Sequence, residues 1–277
     1  MTSPKLSVVI PAFRQADYIE EAMRSVLDQR DVDLELVVAD HSSGDGTYEA
    51  AERLAGDPRV RLLTTPTGGG APANWAAVTA AATGEHIKLL PGDDAVAPGS
   101  LARQAALLDA HPGSVLTAGR RRIVDERGRA MGPARGLQGL DAFMTGGAAA
   151  KAAVRSGTNP FGEPGAVMMR RAALEAAGGW QGRWSYAIDV ASYLGVLRHG
   201  SFVRDDAVAS TFRVSAGQWS VALADEQSAE MRRLFDWAAQ TFDEVDTYDV
   251  ARGARRARTM AGLRRAVYAV MPRGKKK

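Results

Sequence analysis

Over its first 120 residues this chain alternates short apolar runs with segments of helical periodicity, and few folds accept that order. Leu6–Ile10, Leu34–Ala39, Val60–Leu63, His86–Leu90 and Ser114–Ala118 have the length and apolar density of buried strands. Between them lie helical segments. The first starts at Asp17, where Asp17 and Glu20 match a capping box, and puts Tyr18, Ile19, Ala22, Met23, Val26 and Leu27 on one face. Others run over about 47–55, over about 73–82 before the stop at Gly84, and from Pro98 to His111. Strand–helix alternation of this kind predicts an α/β fold with a mainly parallel central sheet flanked by helices. Ligands of such sheets bind beyond the carboxyl ends of the strands. The loops to watch are therefore 11–15, 40–45 and 91–94.

The second half is patterned less clearly. Residues 120–165 are rich in Arg and Gly, with a weakly patterned helix near 137–144. A short strand at 167–169, a helix over 171–177 and a helix over about 187–199 follow. Phe202–Arg204 and Ala207–Phe212 read as two short strands, and two helices over about 225–242 and 250–268 end the chain. The expected division is one domain over 1–220, nucleotide-binding to about 120 and acceptor-binding from 121, with C-terminal helices and a basic tail over 221–277.

The acid pair Asp93-Asp94 stands at the carboxyl end of the fourth strand. Adjacent carboxylates repel unless a cation lies between them. Mg²⁺ or Mn²⁺ fits, because hard ions take carboxylate oxygens and keep sites open for phosphate. The chain has no cysteine, which excludes thiolate metal sites, disulfides and thiol nucleophiles. The first strand–helix loop, Pro11–Gln15, has no glycine and the chain has no P-loop, so a dinucleotide fingerprint and a Walker motif are both absent.

Four segments in order resemble the signatures of family 2 glycosyltransferases of the GT-A fold. They are Ser7–Phe13, Val37–Thr47, Asn74-Trp75 and Gly84–Asp94, with weaker echoes at Asn159–Pro164, Gly178–Trp180, Asp189 and Phe212-Arg213. The resemblance implies an inverting transfer of a sugar from a UDP-, dTDP- or GDP-sugar to a hydroxyl acceptor in cell-surface glycan or glycolipid assembly. It implies that Pro11, Ala12, Phe13, Asp40, Asn74, Asp93 and Arg213 contact the nucleotide-sugar. Asp94, with Asp93, would hold the cation. Asp189 would be the catalytic base, its basicity raised by partial desolvation near Trp184 and Tyr186. Trp184, Tyr186 and Glu163 would contact the acceptor. Lys88 is expected to point outward, solvated or salt-bridged, within reach of diphosphate. Three positions depart from the family pattern: Pro91 stands where relatives carry an acid, Ile188 where they have Glu, and Ser215 where they have His.

Two other readings fit parts of the chain. A sugar-nucleotide nucleotidyltransferase would share the nucleotide geometry, but would carry a Gly-rich basic loop where this chain has Pro11–Gln15. A non-catalytic sugar-nucleotide-binding protein would accommodate Pro91 and Ser215. Residues 251–277 hold ten Lys/Arg and no acid, so with a net charge of +3 the rest of the chain carries −7. A stripe of Met260, Leu263, Val267, Val270 and Met271 among these cations suggests peripheral contact with anionic lipid. No nucleic-acid module is recognisable. The N-terminus lacks a signal-like apolar segment, and no apolar run nears the roughly 18 residues of a membrane span, so a cytoplasmic setting is expected.

Overall fold

A computed structural model describes residues 4–214 and 227–270, with side chains through residue 262. Ser215, Trp219 and residues 271–277 lie outside the described residues, as do the side chains of Leu263, Val267 and Val270. The elements in order are β1 (Leu6–Ala12), α1 (Ile19–Leu27), β2 (Leu34–Asp40), α2 (Thr47–Glu52), β3 (Val60–Thr64), α3 (Gly70–Ala80), β4 (His86–Leu89), β5 (Ala95–Val96) and α4 (Ser100–Ala110). Then come β6 (Ser114–Val124), β7 (Phe143–Met144), α5 (Gly146–Ser156), a 3-10 turn (Pro164–Ala166), β8 (Val167–Arg170), α6 (Arg171–Ala176), α7 (Ile188–Leu197), β9 (Ser201–Arg213), α8 (Gln227–Thr241) and α9 (Thr247–Val270).

The strands form one sheet in the order β3-β2-β1-β4-β8-β6-β9-β5, with β7 paired to β9. The β3-β2-β1-β4 half is parallel, as expected. The other half is mixed: β8 runs antiparallel between β4 and β6, while β6 and β9 are parallel. The run Val167–Met169 is buried throughout, so it can sit mid-sheet. An all-apolar run carries no signature of strand direction, which is why the sequence did not disclose the reversal.

Alternation in β1 sorts side chains to two cores. Leu6, Val8 and Ile10 pack with Ile19, Met23 and Val26 of α1 and Leu101 and Leu108 of α4. Val9 joins Ile87, Leu89, Val78, Leu174 and the α7 side chains Tyr193 and Leu194 on the opposite face. Helices thus cover both faces of the sheet.

Several local expectations are corrected. Helix α1 begins after Tyr18 with no side-chain cap, and Glu20 pairs instead with Arg24 at 2.7 Å. Segment 137–144 is not a helix. The helix lies just beyond it, at α5, where Thr145 accepts the Ala148 N–H as N-cap and Gly157 closes the end in the left-handed region. The two short strands after residue 200 are one, β9, bent by register shifts against β6.

The C-terminal helix is locked to the domain by close backbone approach. A Cβ at Gly253 of α9 would lie 2.1 Å from the Val154 carbonyl oxygen of α5. One at Gly157 would lie 2.6 Å from Arg256 Cβ, and its φ of +69° also favours glycine.

Candidate functional site

Strands β1, β2 and β4 end side by side, and their polar loops meet there. Pro11 and Ala12 finish β1, buried against β2. Phe13 is half exposed, edge-on to His41 at 5.9 Å and beneath the Arg14 guanidinium at 5.2 Å. Asp40 is buried and accepts the N–H and hydroxyl of Ser43, so its carboxylate shapes the turn after β2. Asn74 differs from the expected ligand contact. It is buried inside the first turns of α3, donates to the Ala12 and Ala39 carbonyls at 3.2 and 3.4 Å, and accepts from Thr65 at 3.1 Å. It fastens the ends of β1 and β2 together.

The acid pair sits in the turn after β4. Asp94 is 2% exposed, and one carboxylate oxygen accepts the Arg213 N–H at 2.8 Å. Burial, then the neighbouring charges of Asp93 and Glu163, push its pKa well above the usual carboxylate range. Its other oxygen has no hydrogen-bond donor among the described residues. Arg213 lies behind this turn rather than facing it. Its guanidinium donates to the carbonyls of Asp93 at 2.9 Å and Glu126 at 3.2 Å and to Glu21 at 2.7 Å, and stacks on Tyr18. Arg213 therefore holds the acidic turn in shape, a different place from the expected diphosphate contact.

Asp189 stands in the first turn of α7. Its carboxylate accepts the Asn159 amide at 2.8 Å and the Val190 N–H at 2.6 Å. Burial dominates and raises its pKa to about 6, with the Glu163 charge adding to the shift and the two donors opposing it. Asn159 also folds its own loop, donating to the Gly162 carbonyl and accepting the N–H of Phe161 and of Gly162. That loop delivers Glu163, which pairs with Arg121. The Glu163 charge acts on both Asp94 and Asp189, so the three carboxyls share one neighbourhood.

Asp189, Glu163, Asn159 and Tyr186 line a cleft of about 1180 Å³ walled by α5 and α9. Pro11, Asp40, Asn74 and Asp93 are not part of its lining. Trp184, expected there, is a correction. It is 8% exposed within the core, covered by Arg183, whose guanidinium spans Trp184 and Trp237 of α8. Trp180 is core as well, edge-on to Trp75. The sequence missed what buries this loop. Glu230 of α8 is 3% exposed, and its carboxylate accepts the N–H groups of Ser185, Tyr186 and Ala187. An acid at helical spacing with the apolar stripe Met231, Leu234, Phe235, Ala238 was the available signal.

Lys88 is also a correction. It is fully buried, because α4 covers that face of β4, and its ammonium donates to the Gly165 carbonyl at 2.7 Å behind the Glu163 turn. Burial lowers its pKa to about 7, against the attraction of Asp205. The unfolded chain would keep this proton to the ordinary lysine value while the folded chain loses it near 7. Stability should therefore rise with pH through about 7 to 10 by up to about 1.4 kcal/mol per pH unit. In Lys88→Met that increment is expected to vanish from urea-unfolding curves taken across the same range; an unchanged slope would refute it.

A second acidic group, Glu85, His86 and Asp109, is close enough to hold a cation, with ligand atoms within 4.8 Å. It lies at the amino end of β4, across the sheet from Asp94, and the Lys5 ammonium already sits 2.6 and 2.9 Å from its two acids. Asp94 keeps one oxygen without a donor, a hard ligand, but it is not part of a group of three such ligand atoms within that distance among the described residues.

The sequence model for Glycosyl transferase family 2 matches residues 7–178. The chondroitin synthase of Pasteurella multocida (strain Pm70) is 42% identical over 96 residues, 34% of this chain and 10% of that protein. The succinoglycan biosynthesis protein ExoO of Rhizobium meliloti (strain 1021) is 36% identical over 107 residues, 39% of this chain and 30% of that protein. The chain thus spans well under two thirds of the length of either relative. Staphylococcus aureus TarS 1-349 in complex with UDP-GlcNAc superposes with a TM-score of 0.65 at 19% identity, over 86% of this chain and 66% of that one. The mannosyltransferase PcManGT of Pyrobaculum calidifontis, in complex with GDP-Man and Mn²⁺, gives 0.63 at 18%, over 98% and 77%. These likenesses establish the fold as the GT-A arrangement of glycosyltransferases.

Proposed function

The chain belongs to glycosyl transferase family 2, and from that premise we propose that it moves a sugar from a UDP-, dTDP- or GDP-sugar to a hydroxyl acceptor with inversion. The observation that carries this reading is the placement of Asp189: a desolvated carboxylate, oriented by Asn159, lining a large cleft, with the charge of Glu163 felt both by it and by Asp94.

The nucleotide would lie over the ends of β1 and β2, against Pro11, Ala12, Phe13 and Asp40, with Asn74 keeping those strand ends in register. The acceptor would enter by the cleft, past Tyr186 and Glu163. Asp189 takes the acceptor hydroxyl's proton as that oxygen bonds to the anomeric carbon. The bond from that carbon to the diphosphate oxygen breaks on the opposite face, and its electron pair leaves with the nucleoside diphosphate. A pKa near 6 suits a base that must be ionised near neutrality yet hold a proton when offered one. Asp94 and Asp93 would hold Mg²⁺ or Mn²⁺, which supplies Lewis-acid neutralisation of the departing diphosphate.

The setting we propose is cell-surface glycan or glycolipid assembly on the cytoplasmic side. Residues 251–277 would add peripheral contact with anionic lipid, which their charge supports. Among the described residues no helix is long and apolar enough to cross a membrane.

The test is a panel of UDP-, dTDP- and GDP-sugars with Mn²⁺. At least one donor is expected to raise the melting temperature, since a ligand bound only by the folded chain stabilises it by mass action. The same donor should release free nucleoside diphosphate on turnover. A donor that binds without turnover in any acceptor extract would favour a sugar-nucleotide-binding protein; no shift with any donor would overturn both readings.

A further inference from the structure

We propose that the acceptor is an anionic glycan, bearing carboxylate or phosphate groups that lie along the cleft against Arg135, Arg252 and Arg256. This rests on the reading of the cleft as the acceptor site.

The cleft lining holds six basic side chains and only two acids, Glu163 and Asp189. Three of the cations have acidic partners: Arg121 has Glu163, Lys151 has Asp246 and Asp249, and Arg155 shares Asp249, which is 1% exposed behind the wall. The other three, Arg135, Arg252 and Arg256, have no acidic partner among the described residues. They lie on different walls. Arg135 is in the loop after β6, bridged by backbone to Arg121, and Arg252 and Arg256 are one turn apart on α9. Like charges at that helical spacing repel by a few tenths of a kcal/mol, so their placement on the face that lines the cleft carries a small cost.

General basicity does not explain this. Outside residues 251–277 the chain is acidic by formal count, yet Arg121, Arg135, Lys151 and Arg155 of that acidic body gather here. A concave site lined by one sign of charge concentrates the opposite sign within it. The guanidinium fork matches carboxylate and phosphate geometry in two parallel hydrogen bonds.

Neutral sugars are gripped mainly by stacking on aromatic faces. Here the tryptophans that could have served, Trp180 and Trp184, are in the core, and the lining offers only Tyr186 and Phe212 as aromatics. The cleft is therefore built to hold charge more than to stack rings. The nucleotide is not the anion in question, because the strand-end residues Pro11, Asp40 and Asp93 stand outside this lining.

The test uses matched pairs of soluble oligosaccharides on the full chain: an oligogalacturonate hexamer against its methyl-esterified neutral form, and maltohexaose phosphate against maltohexaose. Binding is measured by calorimetry at low and raised salt. At least one charged member should bind about tenfold or more tightly than its neutral twin, and raised salt should narrow the gap. Which pair responds distinguishes carboxylate from phosphate. The double variant Arg135→Gln/Arg252→Gln should erase the preference, whereas Arg198→Gln, exposed at the far end of α7, should leave it intact. Both cleft positions are solvent-accessible, and circular dichroism of the double variant checks that it is folded.

Equal binding of charged and neutral twins, no binding by any of the four, or a preference that survives the double variant would overturn the proposal. Donor turnover is measured in parallel. Turnover without charge preference sinks this inference alone. Charge preference without turnover of any donor sinks the glycosyltransferase reading and leaves an anionic-glycan cleft.

Discussion

Asp189→Asn is expected to reduce sugar transfer by about 10²–10⁴-fold, the usual contribution of a positioned general base, while donor affinity stays near wild type. The substitution keeps the shape of the side chain and its setting in α7 but removes the proton acceptor. The proposed donor contacts lie at the strand ends, outside the cleft, so binding should survive. In the wild type, kcat/KM should climb with pH through about 6, where the carboxyl loses its proton, and the residual activity of the variant should lack that inflection. Stability moves the other way. The unfolded chain releases this proton near the ordinary aspartate value and the folded chain only near 6. Between about 4 and 6 the folded state therefore binds more protons, and stability falls as pH rises. At neutral pH the ionised group costs the fold at most about 3 kcal/mol, and Asp189→Asn should recover part of it as a higher melting temperature. Loss of activity together with a lower melting temperature would indicate structural damage. Unchanged turnover would remove Asp189 from the mechanism.

Asp94→Asn should produce an opposite pair of effects with and without cation. Asp94 is destabilised in its charged form by burial and by Asp93 and Glu163. An asparagine keeps an oxygen for the Arg213 N–H and brings no charge, so the metal-free variant should melt higher than wild type. The same change removes the carboxylate oxygen that has no donor. The extra stability that Mn²⁺ with donor gives the wild type should then largely disappear, and turnover should fall by about 100-fold or more, since a Lewis acid at a departing diphosphate is worth several kcal/mol. Because the cation competes with a proton for Asp94, wild-type metal affinity should rise with pH. A variant that melts higher and still shows the full Mn²⁺-dependent shift would place the cation elsewhere, with the Glu85, His86 and Asp109 group the next site to examine.

The parallel half of the sheet was legible because each strand is a continuous apolar run bounded by turn residues, and because alternation of strands and helices dictates direction. The ends of those strands located Asp40, Asp93 and Asp94 in one region for the same reason. What failed was whatever depended on a partner far along the chain. Lys88 has the alternation of an outward residue, and the 3-10 turn at Pro164–Ala166, far along the chain, takes its ammonium into the interior. Trp184 has polar neighbours, and α8, more than forty residues on, helps to cover it through Arg183, which spans Trp184 and Trp237. Asn74 and Arg213 carry polar groups suited to a ligand, and the sequence could not say that strand-end carbonyls and the acidic turn would take them instead. Asp189 and Glu163 stand in a first turn and a loop that line the cleft, a placement their local sequence allowed.

The glycine contacts between α5 and α9 have a consequence for how this cleft can diverge. At Gly157 and Gly253 the two walls meet main chain to main chain, with no side chain acting as spacer. The gap at this seam is therefore set by backbone geometry together with Arg256, whose guanidinium donates across it to the Arg155 carbonyl at 3.0 Å, while residues 135 and 252 decorate the cleft. Descendants of such a scaffold can exchange the side chains at 135 and 252, erasing much of the unpaired charge of the cleft, while the α5–α9 seam stays as it is. If the cleft takes the acceptor as proposed, its preference can shift by single substitutions that leave the architecture untouched, whereas enlarging either glycine would force the two walls apart.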